Sequence, residues 1–185
     1  MEHKGTKVIE TARLVLRPFR MEDAADMYRN WASDPEVTRF LTWQPHADLG
    51  VTQKYLTMVT ENYSDPRHYE WALELKALGQ VIGALSIVRM DEEIGAVELG
   101  YCMGRTWWGQ TLMPEAVQGI LPYLFREVGA NRVAARHAVG NPKSGRVMQK
   151  AGMTYEGTLR QAARSNQGLE DLCVYSILAR EFSEV

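Results

Sequence analysis

Three extended runs follow one another between Tyr69 and Met103 with only short turns between them. Tyr69 to Lys76, Gln80 to Met90 and Ala96 to Met103 are rich in aliphatic and aromatic residues, and Leu78, Gly79 and the segment Asp91 to Gly95 supply the turns. Connections this short leave no room for a crossover helix, so the runs must pair as an antiparallel meander whose apolar residues need covering. The rest of the chain provides the cover. Glu22 to Trp31, Asp48 to Tyr63 and Leu112 to Val128 space apolar residues at helical intervals. The last is the longest, with Met113, Ala116, Val117, Ile120, Leu121, Leu124 and Val128 along one face, and Pro122 inside it predicts a kink.

A strand at Arg13 to Pro18 precedes the meander, with Leu14 and Leu16 alternating against charge. A strand at Arg132 to Val139, a helix from Pro142 to Ala151 and strands at Met153 to Leu159 and Leu169 to Leu178 follow it. The expected fold class is α+β: a mixed, mostly antiparallel twisted sheet of about seven strands flanked by helices. With 185 residues, a single domain over 1–185 is expected.

Composition removes several classes of function. The net charge is only −2, so no broad cationic field exists to hold a nucleic acid. Cys102 and Cys173 form no CxxC pair and have no His at zinc-ligand spacing, which argues against a disulfide framework and against a metal. The first ten residues are polar, and the apolar stretch Val81 to Val88 is broken by Gly83 and Ser86. Neither an export signal nor a membrane span is expected, and a reducing cytoplasm is the compartment that fits.

Two stretches carry the chemistry. Gly104 to Ala116, GRTWWGQTLMPEA, joins a strand to the longest helix through a turn built around Gly109. A helix start leaves four backbone N–H groups unpaired and carries a partial positive charge, so a loop wrapped on it can cradle a pyrophosphate without lysine. The plainer alternative is a simple loop with a buried Trp pair. Asn141 to Met153, NPKSGRVMQKAGM, begins a helix with Asn141 as cap and Pro142 at its first position. Asn141 and Ser144 lie three apart there and can both offer polar groups to a ligand. His3, His46, His68 and His137 share no ligand or triad spacing.

These residues resemble the GNAT acetyltransferases, in the branch of the ribosomal-protein N-terminal acetylating enzymes RimJ and RimL. The resemblance is carried by TARLVLRPFRMEDAADMY, GQVIGALSI, AVELGYCMGRTWWGQTLMPEA, NPKSGRVMQKAGMTYEGTLR and DLCVYSILAREF, in that order. It implies a sheet splayed between strands 4 and 5, with a slot for the pantetheine of acetyl-coenzyme A between Leu99 to Met103 and Arg132 to Val139. It further implies cosubstrate contacts from Leu99, Tyr101, Cys102 and Met103 on the strand, and from Trp108, Gly109, Gln110, Thr111, Leu112 and Met113 at the phosphate turn. Asn141, Lys143, Ser144 and Arg146 would complete them from the second helix start. The family's Q/R-x-x-G-x-G/A loop maps onto Thr106 to Thr111, where Thr106 and Thr111 depart from it and Arg105 and Gln110 are placed to compensate.

An alkylammonium must lose a proton before it attacks a thioester. Glu98 interrupts an otherwise apolar strand and matches the position where related enzymes often carry the base, while a solvated outer-face glutamate is the plain alternative. Strand alternation sets Glu98, Gly100 and Cys102 on one face and Val97, Leu99 and Tyr101 on the other. Ser144 is the candidate donor to the departing sulfur. Cys102 has no His or cation beside it in sequence and reads as packing rather than as a nucleophile. Acceptor recognition falls to Arg39 to His46, with Arg39 and Trp43, and to a loop at Arg160 to Gly168, with Arg160. These loops lack an acidic cluster and suit a neutral or acidic peptide N-terminus better than a polyamine, unless Glu61, Asp65 and Glu70 converge on the site. The implied activity is direct transfer of acetyl to a primary amine, either a protein N-terminal α-amine or a small-molecule amine. A sensor that binds acetyl-coenzyme A without turnover is the alternative from another class. Monomer and homodimer are both compatible with the sequence.

Overall fold

The computed structural model describes residues 1–182. One eight-stranded sheet runs in the order β1-β2-β3-β4-β5-β6-β8-β7. Its strands are β1 (Ile9–Glu10), β2 (Leu14–Arg17), β3 (Glu70–Leu75), β4 (Gln80–Asp91), β5 (Ala96–Met103), β6 (Arg132–Ala138), β7 (Thr154–Ser165) and β8 (Gly168–Leu178). The meander is β3, β4 and β5, and every neighbouring pair is antiparallel except β5 with β6. The strand that the sequence pattern misses is β1. Its two residues pair with Val15 and Leu16 and are too few to show a period.

Alternation along the strands divides the core in two. On one face Leu14, Leu16, Trp71, Leu73, Ile82, Leu85, Val97 and Leu99 pack under Ala116, Val117 and Ile120 of helix α4 (Leu112–Pro122) and under Leu124 just beyond it. On the other, Ala72 and Val81 pack with Met27 of α1 (Ala24–Met27), with Trp31, and with Leu56 and Val59 of α3 (Leu49–Asn62). Helix α2 (Pro35–Thr38) caps that side, and α5 (Pro142–Lys150) leans on β6 and β7. No helix among the described residues is long and apolar enough to cross a membrane.

Two expectations are adjusted. Pro122 ends α4, and the chain continues as a wide π-turn over Tyr123–Glu127, where the Val128 amide reaches back to the Tyr123 carbonyl at 3.1 Å. The donor that proline lacks is thus absorbed by loosening the helix rather than by a sharp kink. The expected loop at Arg160 to Gly168 is strand as far as Ser165, with a tight turn at Asn166 and Gln167. Register shifts at Tyr155/Gly157 and Leu159/Ala163, with Gln161 at φ +48°, break the two-residue period by which the strand would have been recognised.

A buried ion cluster ties the entry of the first helical segment to the sheet. Arg17 donates to both oxygens of Asp23 at 2.8 Å each and to Glu74 at 2.6 Å, which joins β2, the start of α1 and β3. The two carboxylates raise the pKa of Arg17, against the opposing effect of burial.

Candidate active site

Strands β5 and β6 pair in parallel from Ala96/Arg132 to Leu99/Ala135 and then stop. Beyond that point β5 keeps its ladder with β4 as far as Met103, and β6 keeps its ladder with β8 as far as Ala138, so the two strands part as a fork. This is the splay expected between strands 4 and 5, shifted to 5 and 6 by the extra strand at the start. A cavity of about 1040 Å³ fills the fork. Of the implied cosubstrate contacts, Leu99, Tyr101, Cys102 and Met103 line it from β5, Trp108, Gly109 and Thr111 from the turn, and Leu112 and Met113 from α4. Asn141, Lys143, Ser144 and Arg146 line it from the start of α5.

The turn before α4 is shaped by two left-handed residues, Gly109 at φ +78° and Thr111 at φ +60°. Among the described residues, the amides of Gly109, Gln110, Thr111, Leu112 and Met113 donate to no protein oxygen. Five successive free donors at the start of α4 form an anion cradle, which fits a pyrophosphate. Trp108 anchors the turn by donating from Nε1 to the Met103 carbonyl at 2.7 Å, and the Lys143 ammonium stands 4.5 Å over its ring. Arg13 braces the turn from the far side, donating to the Gln110 carbonyl at 2.9 Å and the Thr111 hydroxyl at 3.1 Å while Glu115 holds its Nε at 2.7 Å. The compensating pair is occupied elsewhere. Arg105 donates to Asp34 at 2.6 Å, and the Gln110 side chain donates to the Thr106 carbonyl at 2.9 Å and does not line the cavity.

At the other helix start, the Asn141 side chain accepts from the Ser144 amide at 3.4 Å, with Pro142 at the first position. The Tyr101 hydroxyl lies 3.0 Å from Ser144 Oγ and 3.1 Å from the Ser144 carbonyl. Burial pushes the Tyr101 phenol up, so it stays protonated as a donor beside the serine. His137, buried between β6 and α5, has its Nδ1 2.8 Å from the Ala138 carbonyl.

Glu98 lines the cavity on the face that carries Gly100 and Cys102, but it is not free. Both its oxygens accept from Arg136 of β6, at 2.9 and 2.6 Å, across the point where the strands part. Cys102 is half-buried, and desolvation pushes its thiol up to about 12, which leaves it a thiol at neutral pH.

The acceptor end is walled by Arg39 and Trp43 from the segment after α2 and by Tyr55 and Glu70 from α3 and β3. Asn166, at the tip of the β7–β8 turn, fastens that segment: its side-chain amide donates to the carbonyls of Thr38 at 2.9 Å and Trp43 at 2.7 Å, and its backbone amide to Leu41 at 3.1 Å. Arg160 is exposed on β7 and does not line the cavity, where Arg164 does so instead. Of the three acids that could have converged here, Glu70 alone lines the cavity. Sequence reasoning did not single out Arg13, Arg136 or Asn166, because each acts through a partner far away in the chain. Glu70 carried a usable signal, since it heads the largely apolar strand Glu70–Leu75 on the face opposite Trp71 and Leu73.

Residues 13–154 match the family model described as an acetyltransferase (GNAT) domain. The chain is 30% identical over 177 residues to the uncharacterized N-acetyltransferase p20 of Bacillus licheniformis, covering 96% of this chain and 99% of that protein. It is 28% identical over 159 residues to the ribosomal protein uS5-alanine N-acetyltransferase of Escherichia coli, covering 80% of this chain and 79% of that one. The solved structure of RimL, the ribosomal L7/L12 alpha-N-protein acetyltransferase in complex with coenzyme A, superposes with a TM-score of 0.82 at 19% identity over 93% of this chain and 98% of that one.

Proposed function

Because the chain belongs to the GNAT family and is therefore an N-acetyltransferase that draws its acetyl group from acetyl-coenzyme A, we propose that its acceptor is a protein N-terminal α-amine, acetylated by direct attack in a ternary complex. The observation that carries this reading is the continuity of the cavity. One space runs from the free amides at Gly109, past Tyr101 and Ser144, to Trp43 and Glu70, so donor and acceptor can occupy it together. The choice of a protein N-terminus is supported by relatives named as ribosomal-protein serine and alanine acetyltransferases, and the same relatives support a cytoplasmic setting.

In this reading the amides from Gly109 to Met113 hold the pyrophosphate, and the β5 edge beyond Leu99 grips the pantetheine. A β5 amide in that stretch offers a hydrogen bond to the developing oxyanion. Ser144, hydrogen-bonded to the protonated Tyr101, donates to the departing sulfur, and Asn141 holds the serine in place. The half-buried, un-ionised Cys102 packs against the site, so the acyl group passes directly to the amine without an acyl-enzyme.

Glu98 takes a different part from the one its position in the strand implies. To accept a substrate proton it would first have to give up Arg136, so we assign the pair to holding the two strands at the fork. Glu98→Gln keeps one acceptor for Arg136 and is expected to lower kcat/KM by about tenfold or less with an unchanged pH profile, whereas loss of a general base gives about 100-fold or more. A loss of that larger size, reversed at high pH, would return the base to Glu98. The acceptor class is tested by thiol release from acetyl-coenzyme A with short peptides bearing a free N-terminal alanine or serine, set beside amino acids and simple alkylamines. Preference for the small amines would overturn the protein-terminus reading.

A further inference from the structure

We propose that Glu70 is the carboxylate that receives the acceptor's ammonium group and takes its proton. This rests on the acetyl-transfer reading above and assigns that reading its base.

Register puts Glu70 in the right row of the sheet. Glu70 pairs with Ser86 on β4, and Ser86 pairs with Gly100 on β5, the first β5 residue beyond the last pair with β6. The neighbouring row, Ala72–Ala84–Cys102, turns the same way, so Glu70, Gly100 and Cys102 share the face that bears the acceptor wall. With strands about 4.8 Å apart, the Glu70 and Gly100 backbones lie roughly 10 Å from each other. That interval accommodates an alkylammonium lying between the carboxylate and the fork, in direct contact or across one water.

The two carboxylates of the cavity differ in what already holds them. Glu98 has both oxygens on Arg136. Glu70 has its Oε1 on the Tyr55 hydroxyl, while its Oε2 has only His68 Nε2 at 3.7 Å, beyond hydrogen-bond reach. Its side chain is 12% exposed, and among the described residues no lysine or arginine pairs with it. A buried carboxylate without a cation is costly to keep, and it is stabilised when a cation arrives. The aromatic rings of Tyr55 and Trp43 beside it add favourable faces for an ammonium.

The titratable groups facing Glu70 are Tyr55 from α3, Tyr63 just past its end, His68 from the segment leading into β3, and Cys102 from β5. Tyr63 donates to the Glu70 backbone carbonyl at 2.7 Å and not to its side chain. Burial holds Tyr55 and Cys102 in their neutral forms and raises Glu70 itself, against the hydrogen bond from Tyr55, which is the direction a proton acceptor needs. Burial lowers the pKa of His68, and its Nε2 is buried without a hydrogen-bond partner, so it places no cation on Glu70. The step balances as follows. The ammonium gives one proton to Glu70, the freed nitrogen lone pair forms the C–N bond to the acetyl carbon, and the C–S bond breaks. The sulfur leaves with the electron pair and is protonated, and the amide nitrogen sheds its second proton to solvent.

The test uses Glu70→Gln in the full chain, with acetyl-coenzyme A and the same alanine and serine peptides and alkylamines. We expect kcat/KM at pH 7 to fall about 100-fold or more, with the Kd for acetyl-coenzyme A within twofold of the parent. Above pH 7 the variant should gain about tenfold per pH unit with alkylamines as the solution supplies uncharged amine, whereas with the peptides the gain should level off near the α-amine's own pKa of about 8. Glu70→Asp, which keeps a carboxylate, should retain the parent pH profile. A Gln variant within threefold of the parent, a loss matched by lost acetyl-coenzyme A affinity, or an Asp variant that behaves like the Gln variant would each overturn the assignment. A parent protein that releases no thiol with any of these amines would instead overturn the functional reading on which it rests.

Discussion

Arg17→Met is expected to lower the stability of the fold by about 3–5 kcal/mol, because it leaves Asp23 a buried carboxylate without its partner. For a domain of this length that corresponds to a fall of roughly 6–20 °C in the melting temperature. The guanidinium makes three short contacts to two carboxylates and a fourth to the Pro18 carbonyl at 3.1 Å, all in a site from which water is nearly excluded. Arginine alone supplies that fork of donors, so Arg17→Lys should fall between Met and the parent. The loss comes from the stranded charges rather than from the pair's own attraction, so replacing Arg17, Asp23 and Glu74 together by apolar residues of similar volume should recover most of it. A calorimetric melting temperature for Arg17→Met within two degrees of the parent would contradict this account.

The second large effect concerns Gly109, where Val is expected to raise the Kd for acetyl-coenzyme A by about tenfold to 100-fold. Gly109 sits at φ +78°, and a Cβ built there meets nothing within 4 Å, so the substitution is not opposed by a clash. Two effects act instead. A β-branched residue in the left-handed region is strained by about 1–2 kcal/mol, and its methyl groups occupy the space into which the free amides present an anion site. Calorimetric titration with acetyl-coenzyme A and with free coenzyme A should show the same loss for both, because the acetyl group lies at the other end of the cavity. Unchanged affinity would place the pyrophosphate elsewhere.

How far the molecule could be read from its sequence depended on the range of the interaction. The meander, the long α4 face and the capped start of α5 were legible because their causes are local: turns at Gly79 and Gly95, apolar residues at helical spacing, and Asn141 followed by Pro142. The fork was expected only through resemblance. Parting at Leu99 and Ala135 depends on where β8 and β4 carry their partners, and no residue in β5 announces it. The second half of β7 was hidden by its bulges. In the site, the residues on local motifs, such as Gly109, Ser144 and Tyr101, lie on the cavity, whereas spacing does not tell which polar side chains are already engaged. Arg105, Gln110 and Glu98 are each engaged by a partner: Asp34 and Arg136 lie far away in the chain, and the Thr106 carbonyl takes up the Gln110 side chain from four residues back. Spacing predicts which groups a chain presents, but long-range pairing decides which of them remain available.

The fork also has a mechanical consequence. Among the described residues, the short parallel run from Ala96/Arg132 to Leu99/Ala135 is the only ladder joining the five strands β1 to β5 to the three strands β6 to β8. The ladders on either side of it, β4–β5 and β6–β8, are antiparallel and longer, so the seam is the weak line through the middle of the sheet, and the cavity opens at its end. A molecule that spans the gap acts as a rivet, lending the two leaves the cross-links their backbones leave unmade, and its departure returns the seam to its looser state.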